Sequence, residues 1–208
     1  NTLYIKGERS PYHKVNSDEI TLITSGETFT INGQSYEGIV TLHLDISKNN
    51  LLLINTIDID KYIYSVLLYE CYPDWPLEMQ KVQAIASRSF ALYHMKQARF
   101  KSSRSFYDIR NTNKNHVYEG VHAFKKLRDA VDQTHGLVLT YKGDIALTMF
   151  DTCCGGIVPS KMRRNKKCLP YLRRSEPCNF CKNSAFYRSQ LVYKKDHFLN
   201  LAKGSPSL

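Results

Sequence analysis

The 208-residue chain reads as an α+β protein, with an N-terminal antiparallel β subdomain over 1–55 followed by a mixed α/β core over 56–208. The core carries one long helix directly behind an acidic, proline-marked turn. Three observations predict this. As far as about Ile59, short β-branched and aromatic runs alternate with polar residues in the period of two that marks half-buried strands. Beyond residue 56 the apolar residues recur instead at steps of three and four. Neither an internal repeat nor a low-complexity or Gly/Ser linker intervenes, so the two parts are read as subdomains of one structural unit.

The strand runs are Glu19-Ile20-Thr21-Leu22-Ile23, Phe29-Thr30-Ile31, Gly38-Ile39-Val40-Thr41-Leu42-His43-Leu44 and Leu51-Leu52-Leu53-Ile54. Asn32-Gly33 is a two-residue hairpin signal, because both central positions of such a turn need positive φ, and Lys48-Asn49-Asn50 suits a longer turn. An antiparallel sheet or small barrel satisfies this pattern, and it reads as a scaffold because no cluster of chemistry falls within it. Asp58 to Leu68 forms a short helix capped by Asp58 or Asp60. Pro76, which has no amide to lose at a helix start, opens the long helix, expected to end near Gln97. Its apolar face is Met79, Val82, Ile85, Ala86, Phe90 and Tyr93, which fall on one arc at about 100° per residue.

The polar, basic stretch from Lys101 to Lys114 is a loop holding a short segment, Phe106-Tyr107-Asp108-Ile109. Asn115 to Gly120 leads into a second helix, with Ala123, Phe124, Leu127, Ala130 and Val131 inward and Gly136 at its exit. Leu137 to Tyr141 and Ile145 to Phe150, joined by Lys142-Gly143-Asp144, form a hairpin that brings Asp151-Thr152-Cys153-Cys154-Gly155-Gly156 to a sheet end. From Val158 onward the chain is loop-rich and very basic, the composition of a solvated charge run.

Twenty-nine Lys and Arg against nineteen Asp and Glu give a net charge of +10 and a pI near 9.3. An anionic partner is expected, although charge alone does not separate nucleic acid, lipid headgroups and acidic glycan. A nucleic-acid binder is disfavoured, because no second Cys/His pair at finger spacing is present and the tyrosines do not cluster with the basic run. No apolar run approaches the ~20 residues of a membrane helix. The numbering starts at Asn1 without a leader, so a leader or membrane anchor can lie outside this sequence.

The chemistry concentrates in Tyr69-Glu70-Cys71-Tyr72-Pro73-Asp74-Trp75-Pro76-Leu77-Glu78. Glu70 among two tyrosines and the single tryptophan is a candidate general acid, since an apolar recess keeps a carboxyl protonated; the competing reading is an ordinary solvated carboxylate. Lys81 and Arg88, seven apart, line one margin of the long helix and Gln83 falls near the other, a row of donors beside Glu70. Cys71 reads as a packing thiol, with no histidine near it to make it a nucleophile. Cys178-Asn179-Phe180-Cys181 has the spacer that lets two thiolates reach one tetrahedral zinc, and Cys153-Cys154 can add ligands. Disulfides and free thiols stand beside that reading. Gly155-Gly156 permits positive φ or close approach of a ligand to the backbone, with a simple turn as the alternative.

Read in order, these landmarks resemble the SpoIID/LytB family, which comprises stage II sporulation protein D and the amidase-enhancer proteins. They are Ile54-Asn55, Ile59-Asp60-Lys61-Tyr62, Glu70-Cys71-Tyr72-Pro73-Asp74-Trp75-Pro76, the run Lys81 to Ala91, His116-Val117-Tyr118-Glu119-Gly120, Thr134-His135-Gly136, Cys153-Cys154-Gly155-Gly156 and Pro170-Tyr171-Leu172. They cover roughly Leu51 to Arg188. The resemblance implies a peptidoglycan lytic transglycosylase that cleaves MurNAc-GlcNAc bonds of denuded, stem-peptide-free glycan strands and leaves 1,6-anhydro-MurNAc ends. The alternative it implies is a non-catalytic, peptidoglycan-binding activator of a cell-wall amidase.

By the same resemblance Glu70 is the acid/base, and Lys81, Gln83, Arg88, His116, Tyr118, Trp75, Gly155 and Gly156 are substrate-binding candidates. Cys153, Cys154, Cys178 and Cys181 become candidate ligands of a structural zinc, while the chemistry itself needs no cofactor. An extracytoplasmic location follows. Three departures stand out: His116 occupies the position of the usual Gln, Cys71-Tyr72 adds bulk between Glu70 and Pro73, and Asp151 stands where many members have His.

Overall fold

Strands come first along the chain, and helices follow. Among the residues described by the structure, a computed structural model, seven strands precede the first helix. They are β1 (Leu3–Ile5), β2 (His13–Val15), β3 (Glu19–Leu22), β4 (Thr28–Ile31), β5 (Gln34–Glu37), β6 (Ile39–Asp45) and β7 (Asn50–Thr56). The residues described are 3–5, 13–15, 19–22, 27–45, 50–101, 105–150, 153–154, 163–164, 167–172 and 178–188. Pairing is antiparallel throughout: β1 with β2, β4 with β5, and a three-stranded sheet in the order β3-β6-β7. Asn32 and Gly33 close the β4–β5 hairpin at φ 51° and 84°, the left-handed pair expected of Asn-Gly.

Helix α1 (Ile59–Glu70) begins where the Asp58 carboxylate accepts bonds from the amides of Asp60 and Lys61, at 2.9 and 3.3 Å. It ends where Cys71 turns to extended backbone. Helix α2 (Leu77–Lys101) is the long helix, and α3 (Lys125–Asp132) follows a looped stretch. The three pack around Ile63, Tyr64, Leu67, Cys71, Ala84, Ala91, Leu127 and Val131. Each fully buried Leu or Ile contributes about 1.5–3 kcal/mol, so Leu127 alone fastens much of the eight-residue α3.

The inward face of α2 is not the predicted one. Met79 and Val82 are 45% and 59% exposed, and the buried positions are Gln80, Gln83, Ala84, Ser87, Arg88, Ser89 and Ala91. Small and polar side chains let the helices approach closely, and several of their polar atoms bond to neighbouring backbone. Gln80 Nε2 donates to the Pro73 carbonyl at 2.8 Å, and Ser89 Oγ donates to Ile85 O while accepting from the Leu139 amide.

Ala123 and Phe124, expected inside the second helix, precede α3 and are exposed. The later hairpin shrinks to β8 (Thr140–Tyr141) and β9 (Asp144–Ile145), turned by Lys142 and Gly143 at φ 53° and 83°. Flanking residues turn to α2: the Leu139 amide donates to Ser89 while its carbonyl still accepts from the Ala146 amide across the hairpin, and Thr148 Oγ1 donates to Ala86 O at 2.6 Å.

The chain divides into two compact units, Asn1–Thr148 and Met149–Leu208. The change of pattern near residue 56 falls inside the first, because sheet, hairpin and helices share contacts there. Asn55 Nδ2 reaches Glu37 O and Ile39 O, and Tyr118 Oη donates to Asn55 Oδ1 at 2.6 Å. The second unit has β10 (Arg163–Arg164) paired with β11 (Lys167–Cys168) and a 3-10 turn at Pro170–Leu172. No helix is long and apolar enough to cross a membrane among the described residues.

Candidate active site

Glu70 is the last residue of α1, a position with chemical consequences. Carbonyl groups at a helix C-terminus carry partial negative charge, which disfavours an ionised carboxylate, and the last turn of α1 contains no basic residue to offset it. The carboxyl is half-buried. Desolvation raises its pKa above the ordinary 4.5, opposed by a hydrogen bond from the Val117 amide. No cation among the described residues enters that balance, so burial prevails.

The shielding groups differ from those expected. Tyr69 and Tyr72 are 50% and 64% exposed, whereas Trp75 packs on the helical core with Tyr72 edge-on to it at 5.6 Å. Instead, Glu70 and its neighbours share a field. The buried Cys71 thiol is pushed up to about 11 by desolvation and then by Glu70, and Tyr62 is raised well above its usual range by the same two causes. Cys71 Sγ donates to Leu67 O, as a packing thiol does.

Three consecutive residues brace this corner. His116 is 1% exposed, with Nδ1 3.1 Å from Tyr62 Oη. Burial, and then His94, lower it to about 4, so it is neutral near pH 7. Val117 supplies the amide to Glu70. Tyr118 is buried between Tyr62 and Tyr36, with ring centroids at 5.4 and 5.8 Å, and Asn111 grips its backbone on both sides at 2.8 and 2.9 Å. His116 and Tyr118 therefore fall beside Glu70, as their motif suggests. The Val117 amide was not visible in sequence, since a backbone donor carries no residue signature. Asn111 was missed because it sits in a loop without periodicity.

The donor row expected along α2 is largely spent inside the protein. Arg88 is 1% exposed: Nε bonds Asp60 Oδ1 at 2.7 Å, Nη1 the Leu137 carbonyl at 3.0 Å and Nη2 the Val131 carbonyl at 3.4 Å. His135 Nδ1 meets the other oxygen of Asp60. Arg88 thus ties α1, α2, the end of α3 and the segment after it, a structural role in place of an open anion contact. Gln83 is buried against Ser87, and Lys81 pairs with Glu78 at 2.7 Å. Gly155 and Gly156 lie outside the described residues.

In the second unit, Cys154, Cys178 and Cys181 bring their sulfurs within 4.8 Å of one another, with Cys154 and Cys181 at 3.9 Å. Thiolates at 2.3 Å around tetrahedral zinc stand about 3.8 Å apart, so this spacing suits a metal. It is far beyond the ~2 Å of a disulfide, and these cysteines are free. The Cys153 side chain and the Cys154 amide both hydrogen-bond to Cys181, although Cys153 is outside the three-sulfur cluster.

The SpoIID family model, described as Stage II sporulation protein, matches residues 47–141. An uncharacterized protein of Brachyspira hyodysenteriae (strain ATCC 49526 / WA1) is 34% identical over 145 residues, 69% of this chain and 38% of that protein, so the chain spans well under half of that relative's length. The matched segment holds Glu70, its Val117 amide and the Arg88 tie. Residues 47–141, a little under half of the chain, are thereby similar to the SpoIID family, whose members are sporulation-related cell-wall proteins associated with the cell envelope.

Proposed function

We propose that the chain is a lytic transglycosylase acting on denuded peptidoglycan strands, with Glu70 as its single acid/base. One observation carries the reading: a half-buried carboxyl at the end of α1, held by one amide and raised by desolvation with no cation among the described residues paired against it. Hydrolases ordinarily need two carboxyls, one for each half of the reaction. A lytic enzyme needs one, because the attacking alcohol is the muramic C6 hydroxyl of the substrate itself. Glu70 donates its proton to the leaving glycosidic oxygen, then takes the proton of that hydroxyl as oxygen closes on C1 to form the 1,6-anhydro ring. The acid is regenerated without water.

The charge supports the same substrate. Removing stem peptides leaves a lactyl carboxylate on each muramic acid, and a protein at +10 gains from meeting a polyanion. The three sulfurs of Cys154, Cys178 and Cys181, with Cys153 adjoining, would hold a structural zinc that stabilises the second unit. Incubating purified protein with denuded glycan and weighing the product ends tests the proposal. Anhydro-muramic ends should form with the parent chain and be lost, by at least about a hundredfold, in Glu70→Gln. Unchanged release by Glu70→Gln removes Glu70 from the role, and stimulation of an amidase without any product would favour a non-catalytic activator.

A further inference from the structure

We propose that the β4–β5 hairpin and the exposed end of α1 form a subsite for an uncharged pyranose, with Tyr36 and Tyr69 stacking on the sugar face and Glu119 accepting its hydroxyls. This rests on the reading of Glu70 as an acid that works on a glycan, and it extends that site beyond residues 47–141.

The hairpin is held beside the acid by several independent devices. Gly120 has φ +79°, and a Cβ there would fall 2.1 Å from the Ser35 carbonyl, so no other residue allows the approach. The Val121 amide donates to Ser35 O at 2.8 Å, Gln34 Nε2 to Val121 O at 3.2 Å, and Asn55 Nδ2 to Glu37 O at 3.0 Å. The rings follow from this docking. Phe29 and Tyr36 stack with centroids 5.8 Å apart at 19°, and Tyr36 touches Tyr118, whose preceding residue gives its amide to Glu70. Tyr69 directly precedes Glu70 and is half exposed, and Glu119 follows Tyr118 and is exposed. A Cβ on Gly120 would stand 3.0 Å from the Tyr36 ring, so the neighbouring Glu119 is held close to it, and the Tyr36 phenol is raised by desolvation, then by Glu119, then by Tyr69.

Aromatic faces with a carboxylate at the edge match a pyranose, which offers a C–H face and a rim of hydroxyls. An aromatic ring supplies rigid contact area at little cost in conformational entropy. Glu119 would repel a lactyl carboxylate, so the residue accommodated is the neutral N-acetylglucosamine of the strand and not muramic acid. Basic residues elsewhere are left to meet the acidic sugars.

Binding of chitotetraose to the full chain carrying Glu70→Gln, measured by calorimetry, tests the subsite without cleavage. Tyr36→Ala and Tyr69→Ala should each weaken binding by about tenfold, whereas Tyr36→Phe should stay within about twofold. A parent that ignores chitotetraose, or alanine variants that bind it as the parent does, overturns the proposal. Should Tyr36→Ala lower the melting temperature by loosening the hairpin, Tyr69→Ala decides alone, since its side chain is half exposed. Anhydro product formed with unchanged KM in both alanine variants would sink the subsite and spare the lytic reading. Tyrosine-dependent binding without product would do the reverse.

Discussion

His116 gives the corner around Glu70 its acid sensitivity. Buried and neutral, it titrates near 4 in the folded chain against 6.5 when exposed. Between those values the unfolded chain binds more protons, so stability present above pH 6.5 is lost as pH falls toward 4, by about 3 kcal/mol in all. Glu70 has the opposite sign: its raised pKa favours the folded state at low pH, and that contribution is lost as pH rises through the raised value. His116→Gln, which restores the amide usual at this motif position, should flatten the fall in melting temperature between pH 6.5 and 4. A variant that loses stability as steeply as the parent would show that His116 is not the titrating group. At this scale the structure sets Glu70, His116 and Tyr118 in one corner, and the sequence singled out the first by its neighbours and the other two through the motif resemblance. It was silent on Val117, whose contribution is an amide, and it overrated Tyr69 and Tyr72 as shields because nearness along the chain does not give direction.

Helix α2 is organised by Arg88. Its guanidinium joins Asp60, Leu137 and Val131 in a nearly dry setting, where removing one member of an ion pair strands the other at a cost of about 3–5 kcal/mol. Arg88→Met should lower unfolding stability in urea by about 3 kcal/mol, and a variant as stable as the parent would contradict the structural assignment. Apolar periodicity failed on this helix for a physical reason. Hydropathy ranks Gln, Ser and Arg as outward residues, yet here Gln80, Arg88 and Ser89 have backbone or carboxylate acceptors waiting, which offsets much of the penalty of burying them. The same rule worked better for α3, where Leu127, Ala130 and Val131 are buried as expected while Ala123 and Phe124 are not. Asn32-Gly33 was legible for another reason: few dipeptides tolerate two successive positive φ values.

Two units make up the whole molecule, and each has its own means of support. The first has a helical core and docked strands; the second combines short strands with a cysteine cluster. If zinc holds that cluster, purified protein should contain about one zinc per chain. A chelator should then lower the melting temperature of the second unit and leave the transition of the first in place. Metal-free protein with an unchanged second transition would contradict a zinc-supported unit. The change of pattern at residue 56 was legible, but that it falls inside one unit was not, because contacts such as Asn55 with Tyr118 are distant in sequence and invisible to composition. Beneath both units lies a single claim, that Glu70 keeps its proton beyond the pH at which an ordinary glutamate has lost it. Carbon-13 titration of the glutamate carboxyls, with Glu70 assigned by difference against Glu70→Gln, measures this directly. The expected midpoint lies above 4.5; one at or below that value would contradict the account.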